Sequence, residues 1–397
     1  MSKAWLPCLA LAVALSIHAS AALDFVHGPY SGAPSGDSVV VSWSASEPVP
    51  ARVEFAERSK YELTGELTSF VDVPVAASGE TIHVTLGSLE PASDYVYRVV
   101  LIQTDSKTAS PTGAFSTPAR PGDSVSFAVL ADTQQQLSGT NRLALVGDAV
   151  AADPTDFDFI LHAGDLVESP TSFYWGDWFT SFADMLLRAP LLPVLGNHEA
   201  NHSSYFDTFA HPPGAGRETA EWWALHWGDV VIVGLNTNAT SLNAFRAQRM
   251  WAEEHLSGSE PHKFVLLHHP PFSSGIGYED VYVFDEIFHP VFVNAGVDVV
   301  LSGHTHHYER IERDGVIYLV VGGGGAAPRR TAPAPISGSE VIVEGAHFYV
   351  RVTARAGGID VETIAVAREL PDGTCASTLE RLDAFKLEST SSSVNDD

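Results

Sequence analysis

The sequence predicts two folded units, an all-β sandwich followed by an α/β domain, and three observations carry that expectation. The 397 residues are 45% apolar and 18% charged, an ordinary globular balance with enough apolar surface for two cores. Residues 24–118 hold short runs in which apolar and polar side chains partly alternate, broken by turn residues at the spacing of a β-sandwich. Beyond residue 124 the rhythm changes to Val-, Leu- and Ile-rich runs alternating with helical patterns, as in strands buried within an α/β domain.

Taken in order, Lys3, the apolar run 5–17 and the small residues Ala19-Ser20-Ala21 read as a signal peptide over residues 1–21. The run is too short to span a bilayer, and no later stretch reaches spanning length. Cys8 lies inside it, so the mature chain keeps only Cys375 and forms no internal disulfide. These features predict a secreted protein, extracellular or periplasmic, without a membrane span. In the first unit, strands are expected at 38–43, 51–55, 81–86 and 94–102, with Trp43 buried, and residues 116–122 read as a linker. In the second, placed at 124–365, strands are expected at 127–130, 157–162, 191–195, 230–235, 264–267, 297–301 and 316–321. Helices are expected at 141–152, 172–187, 242–256 and 283–295. Gly322 to Gly325 reads as a flexible strand exit rather than a phosphate loop, because no Lys-Ser or Lys-Thr follows. Residues 366–397 form a C-terminal extension whose Ser-rich acidic end is expected to be disordered.

Lys and Arg number 22 against 49 Asp and Glu, a net charge of −27, which repels polyphosphate backbones and excludes duplex nucleic acid as a partner.

The informative residues follow the strands. One run ends in Asp132, the next in Gly164-Asp165, the third in Gly196-Asn197-His198-Glu199, and later ones in His268-His269 and Gly303-His304-Thr305-His306. In α/β sheets the carboxyl ends of the strands form the ligand-binding rim. Carboxylates and imidazoles gathered there repel and are poorly solvated unless divalent cations bind. Oxygen and imidazole donors without thiolate suit zinc, iron or manganese. Glycine before Asp165, Asn197 and His304 lets the backbone turn sharply beside the ions.

Asp132, Gly164-Asp165, Gly196-Asn197-His198-Glu199, Val265-x-x-His268 and Gly303-His304-x-His306 together resemble, in order, the five motifs of the calcineurin-like metallophosphoesterases. The run His306-His307-Tyr308-Glu309-Arg310 is similar to the purple acid phosphatase-like branch, and the first unit looks like a fibronectin-type-III-like N-terminal domain of such enzymes. The resemblance implies a four-layered αββα domain holding two transition-metal ions. Asp165 would bridge them, Asp132 and His306 would complete one site, and Asn197, His268 and His304 the other. His198 would not ligate; it would bind a phosphate oxygen or protonate the leaving group. Glu199 is expected to orient His198, and His269, beside two prolines, to serve structurally or behind a ligand.

The implied activity is hydrolysis of a small phosphate monoester, as in acid phosphatases, by in-line attack of a metal-bound hydroxide. A phosphodiesterase or nucleotide hydrolase is the alternative on the same site, and a non-catalytic binding or adhesion protein the alternative from another class. Two departures stand out. The purple enzymes carry Gly-Asp-x-x-Tyr, whose tyrosine binds ferric iron, but here Glu168 occupies that place; Glu168 would ligate a metal or orient a water, and the protein is expected to be colourless. Tyr174 lies at a spacing foreign to that motif. The first motif reads Asp132-Thr133-Gln134 where Asp-x-Gly is usual.

Overall fold

The computed structural model describes residues 23–75, 79–135, 141–216, 221–239, 241–276 and 282–388, the side chains of 282 and 283 excepted. The predicted signal peptide and the acidic tail past Glu388 lie outside them.

The first unit is a sandwich of two antiparallel sheets. One contains strands Phe25–Gly32, Val39–Ala45 and Ile82–Leu86; the other contains Ser69–Val73, Ala51–Glu57, Asp94–Ile102 and Lys107–Ala109, with Gly113–Ser116 paired to Asp94–Ile102. Period-2 alternation forms the core: Val39, Val41 and Trp43 turn inward to join Val53, Val99 and Leu101, all with no exposed surface. Helix Arg58–Thr64 was not anticipated, and it buries no residue, so it leaves no apolar period to read.

The second unit has four layers. A six-stranded sheet runs in the order Leu191–Pro193, Phe159–His162, Val125–Leu130, Ala346–Arg355, Gly358–Glu369, Cys375–Glu388. An eight-stranded sheet packs on it, and its central strands Val230–Gly234, His262–Leu266, Val299–Ser302 and Val316–Val321 are parallel neighbours. Strand Val125–Leu130 shows why the strands read as unbroken apolar runs. Phe127 and Val129 point between the sheets with Phe159, Phe264 and Leu301, whereas Ala128 and Leu130 point outward beneath Val146, Trp178 and Met185 of the helical layer. Val231, Val233 and Val265 likewise meet Phe245, Phe288 and Phe292 on the far side. Helices Arg142–Ala152, Ser172–Ser181 and Ala183–Leu186 cover the first sheet, and Leu242–Leu256 and Tyr282–Ala295 the second.

Three expectations change. The helix anticipated at 172–187 is two pieces, broken at Phe182, whose φ −109 and ψ 11 leave the helical region. The boundary at 365 falls inside strand Gly358–Glu369, and Cys375–Glu388 pairs antiparallel along it, so the supposed extension is the edge of the six-stranded sheet. That edge strand has no buried residue and therefore no apolar run to announce it. The Gly322–Gly325 segment is close-packed, because a Cβ on Gly324 would strike the Ala131 carbonyl and one on Gly323 the Phe348 ring.

The two units share contacts. Tyr30 of the first strand packs 5.1 Å from the Phe179 ring and donates its hydroxyl proton to the Thr208 carbonyl, and Ala114 N–H donates to the Leu187 carbonyl at 2.7 Å. Among the described residues, no helix is long and apolar enough to cross a membrane.

Candidate metal centre

Parallel strands deliver their carboxyl ends to one rim, and the residues just beyond them adopt unusual backbone. Asp132 and Asp165 both have φ +54, and His304 has φ +69. Left-handed backbone at a residue with a Cβ costs roughly 1–2 kcal/mol. Three such residues at one rim mark a site that local hydrogen bonds hold in place. Thr133 and Gln134 N–H donate to the Asp165 carbonyl at 2.9 and 3.2 Å, Asp132 N–H donates to the Gly164 carbonyl at 3.1 Å, and His304 N–H reaches both Asp132 carboxylate oxygens at 2.9 and 2.8 Å. Gly196 and Gly303 are required by contact, since a Cβ on either would overlap the Asp165 or the Asp132 carboxylate.

Asp132 is 0% and Asp165 1% exposed. Asp165 Oδ1 accepts His198 N–H at 2.8 Å, while Oδ2 lies 3.2 Å from His268 Nε2 and 3.8 Å from His198 Nε2. Burial opposes ionisation of Asp165, but the imidazole of His268 outweighs it and holds the carboxyl below the usual carboxylate range. For His268, burial favours the neutral ring, yet Asp165 and Asp132 push it up to about 9. A protonated imidazole thus stands where buried carboxylates demand positive charge. His304 is held down to about 2 and His269 to about 3, by burial and the nearby charge of His268.

The ring orientations favour ligation. A carbonyl can only accept, so His268 Nδ1–H donates to Ala163 O at 2.9 Å and His306 Nδ1–H to Ala327 O at 2.8 Å. Each Nε2 is thereby turned inward, that of His268 3.1 Å from Asn197 Oδ1 and that of His306 3.4 Å from Asp132 Oδ1. Two triads have all donor atoms within 4.8 Å of one another: Asp132, Asp165 and His268, and His268, His269 and His304. The donors are carboxylate and imidazole throughout, and this set fits a first-row divalent cation. A third group, His347, Glu369 and Cys375, is equally close, but the Arg142 guanidinium 3.0 Å from Glu369 already supplies its positive charge.

All six residues expected as ligands, Asp132, Asp165, Asn197, His268, His304 and His306, lie at this rim. His198 stands beside them, its Nδ1–H donated to the Glu168 carbonyl at 2.8 Å. Glu168 lines, with Gln134, Arg142, His198, His306 and Arg329, a cleft of about 480 Å³. Tyr174 stands on helix Ser172–Ser181 against Phe173 and is not part of this lining. Glu199 does something other than orient the His198 ring. Fully buried, it accepts N–H from Gly196 at 2.8, Leu166 at 2.8, Asp165 at 3.1 and Val167 at 3.2 Å, tying the two ligand loops together. His269 accompanies the cluster, with its Nδ1 2.8 Å from Thr237 Oγ1. Sequence reasoning missed Arg142, Arg329 and Asn238, whose amide donates to the Gly196 carbonyl at 2.6 Å. None belongs to a motif; for Gln134 the departure from Asp-x-Gly was the signal.

A two-sheet αββα domain with carboxylates and imidazoles converging at the strand ends defines a metal-dependent phosphatase. Residues 125–308 match the calcineurin-like phosphoesterase family, and residues 11–119 match the N-terminal domain of PhoD-like phosphatases. The chain is 27% identical over 330 residues to a purple acid phosphatase of Glycine max, covering 76% of this chain and 68% of that one. It is 24% identical over 452 residues to the acid phosphatase type 7 of Homo sapiens, covering 91% and 96%. A purple acid phosphatase from yellow lupin (Lupinus luteus) seeds has the same fold, with a TM-score of 0.73 at 16% identity over 91% of this chain and 74% of that one. The chain is thus a metal-dependent phosphatase similar to the purple acid phosphatases, its residues 125–308 matching the calcineurin-like phosphoesterase domain.

Proposed function

We propose that the protein is a secreted phosphatase that hydrolyses small phosphate monoesters with two transition-metal ions, zinc, iron or manganese, held at the rim. The observation that carries this reading is the convergence of two buried carboxylates with inward-turned imidazoles beside an open cleft. Asp132, Asp165 and His306 would hold one ion, and Asp165, Asn197, His268 and His304 the other. When bound, such a pair lowers the pKa of water and stabilises the charge on the phosphoryl oxygens.

The chain's own residues supply the rest. His198 donates Nδ1–H to Glu168 O, which leaves Nε2 as the atom that carries a proton to a leaving-group oxygen. Asp165 favours the protonated form of that ring against its burial. Arg142, paired with Glu369, and Arg329 bring guanidinium N–H donors to the cleft that also carries Glu168, and such donors suit phosphoryl oxygens. Glu199 fixes the loops that carry Asp165 and Asn197. Secretion is supported by the sequence pattern of residues 1–21.

A turnover panel of monoester, diester and nucleotide substrates, run with added zinc, manganese and iron, tests the reading. Metal-dependent turnover greatest on the monoester is expected. A diester hydrolysed at least tenfold faster would replace the substrate assignment, and absence of turnover with every metal would overturn the reading.

A further inference from the structure

Gln134 occupies the third place of the first motif, and its side chain reaches the centre of the site. It is 4% exposed. Its Nε2 lies 3.3 Å from Asp165 Oδ2 and 3.2 Å from His306 Nε2. His306 donates its Nδ1–H to the Ala327 carbonyl, so in the neutral ring Nε2 offers a lone pair, and the amide NH2 then donates to both acceptors. Those acceptors are two of the atoms assigned above to one ion. The NH2 group therefore fills the place that a cation would take. The other end of the same amide, Oε1, is buried and has no hydrogen-bond partner among the described residues.

We propose that Gln134 is a direct ligand, through Oε1, of the ion held by Asp132, Asp165 and His306. Without a cation, an amide oxygen facing the Asp165 carboxylate would be repelled, so the nitrogen turns inward. With a cation there, the preference reverses, because an N–H donor repels the ion and a carbonyl oxygen attracts it. The exchange is a half-turn about a terminal sp3–sp2 torsion, which is broad and two-fold, so the backbone need not move. The neutral amide oxygen then supplies a donor to the ion that in the purple enzymes takes a tyrosine phenolate, a donor this chain lacks at Glu168. A neutral donor in place of an anionic one also favours a divalent over a ferric ion. This inference rests on the two-ion reading above.

The test is calorimetric titration of the full chain, stripped by chelator, with Mn2+ and separately with Zn2+, for wild type, Gln134→Ala and Gln134→Glu. Wild type is expected to bind two ions. Gln134→Ala should weaken one of them by tenfold or more and leave the other within twofold. Gln134→Glu, which keeps the shape and always presents oxygen, should bind that same ion at least as tightly as wild type. Circular dichroism of each stripped variant checks that the fold is kept, and if Gln134→Ala does not fold, the Gln134→Glu titration decides. Two ions bound by Gln134→Ala with unchanged or tighter affinity would overturn the inference alone, since the amide would then only fill the space. A tenfold loss in Gln134→Glu would overturn it equally. Wild type that binds no ion would overturn the two-ion reading together with it.

Discussion

Replacing Glu199 by Gln tests the organisation of the site without touching a proposed ligand. Each Glu199 oxygen accepts two backbone N–H groups: Oε1 those of Leu166 and Val167, Oε2 those of Asp165 and Gly196. A glutamine has the same shape but one acceptor, so two N–H groups would face an NH2 group in a buried site. A buried donor left unpaired costs about 1–3 kcal/mol, so the variant should lose about 2–6 kcal/mol. At about 2–4 °C per kcal/mol for a domain of this size, the melting temperature should fall by roughly 5–20 °C. The assay is a thermal melt followed by circular dichroism at pH 8. Burial and the adjacent Asp165 charge push the Glu199 carboxyl up to about 7, so at pH 8 the wild type carries the carboxylate that accepts all four bonds. A melting temperature within 1 °C of wild type would show that the four bonds are not made and would refute the reasoning. A lowered melting temperature with weakened metal binding and slower turnover is the expected pattern, because the loops held by Glu199 carry Asp165 and Asn197.

Four further outcomes are expected. Asp165→Asn should lower turnover by more than a thousandfold with the circular dichroism spectrum unchanged, and activity within tenfold of wild type would remove it from the bridging position. His198→Ala should retain its metals while kcat falls about a hundredfold on poor leaving groups and much less on good ones, as the loss of a proton donor requires; an equal loss on both contradicts that role. Protein expressed with iron should show no strong visible band, whereas Glu168→Tyr should gain one; a band in the wild type would place a tyrosine on the metal, and Tyr174→Phe would identify its source. His27 is held down to about 4 by burial and by His83, below the unfolded value of 6.5, so the unfolded chain binds more protons and stability falls as pH drops through that window. The loss reaches about 3 kcal/mol at pH 4, and His27→Phe should lessen the drop in melting temperature between pH 7 and pH 4.5; an equal drop in both proteins would exclude His27 as its source.

What was legible in the sequence follows from what a sequence can record. Strand Val125–Leu130 is buried on both faces, and its apolar run ends abruptly at Asp132, so strand, rim and candidate ligand are visible in one stretch. The same holds for Phe159–His162 before Asp165 and for Val299–Ser302 before His304. The edge strand Cys375–Glu388 and helix Arg58–Thr64 bury nothing, so neither leaves an apolar pattern to read. Glu199 was visible as a residue but not in its role. Three of its partners are backbone N–H groups of residues 165–167, and an amide hydrogen carries no residue identity to read.

Thr133 shows most clearly why a motif's variable position can hide structural work. Between Asp132 and Gln134 it reads as a spacer, yet its hydroxyl donates to the Leu166 carbonyl at 2.9 Å and accepts the Trp178 indole N–H at 3.0 Å. His162 Nε2 is a third neighbour at 2.9 Å, and burial together with the charge of His268 holds that ring down to about 3, hence neutral. With its one proton given to Leu166, the hydroxyl can only accept from the ring, which fixes His162 with hydrogen on Nε2. The side chain thus ties the Asp132 loop to the Asp165 loop and to helix Ser172–Ser181. A valine has the same shape but leaves the Leu166 carbonyl, the Trp178 N–H and the His162 N–H without a partner, whereas serine keeps all three bonds. The middle residue of the motif is therefore constrained by its hydroxyl, through contacts with elements up to 45 residues away.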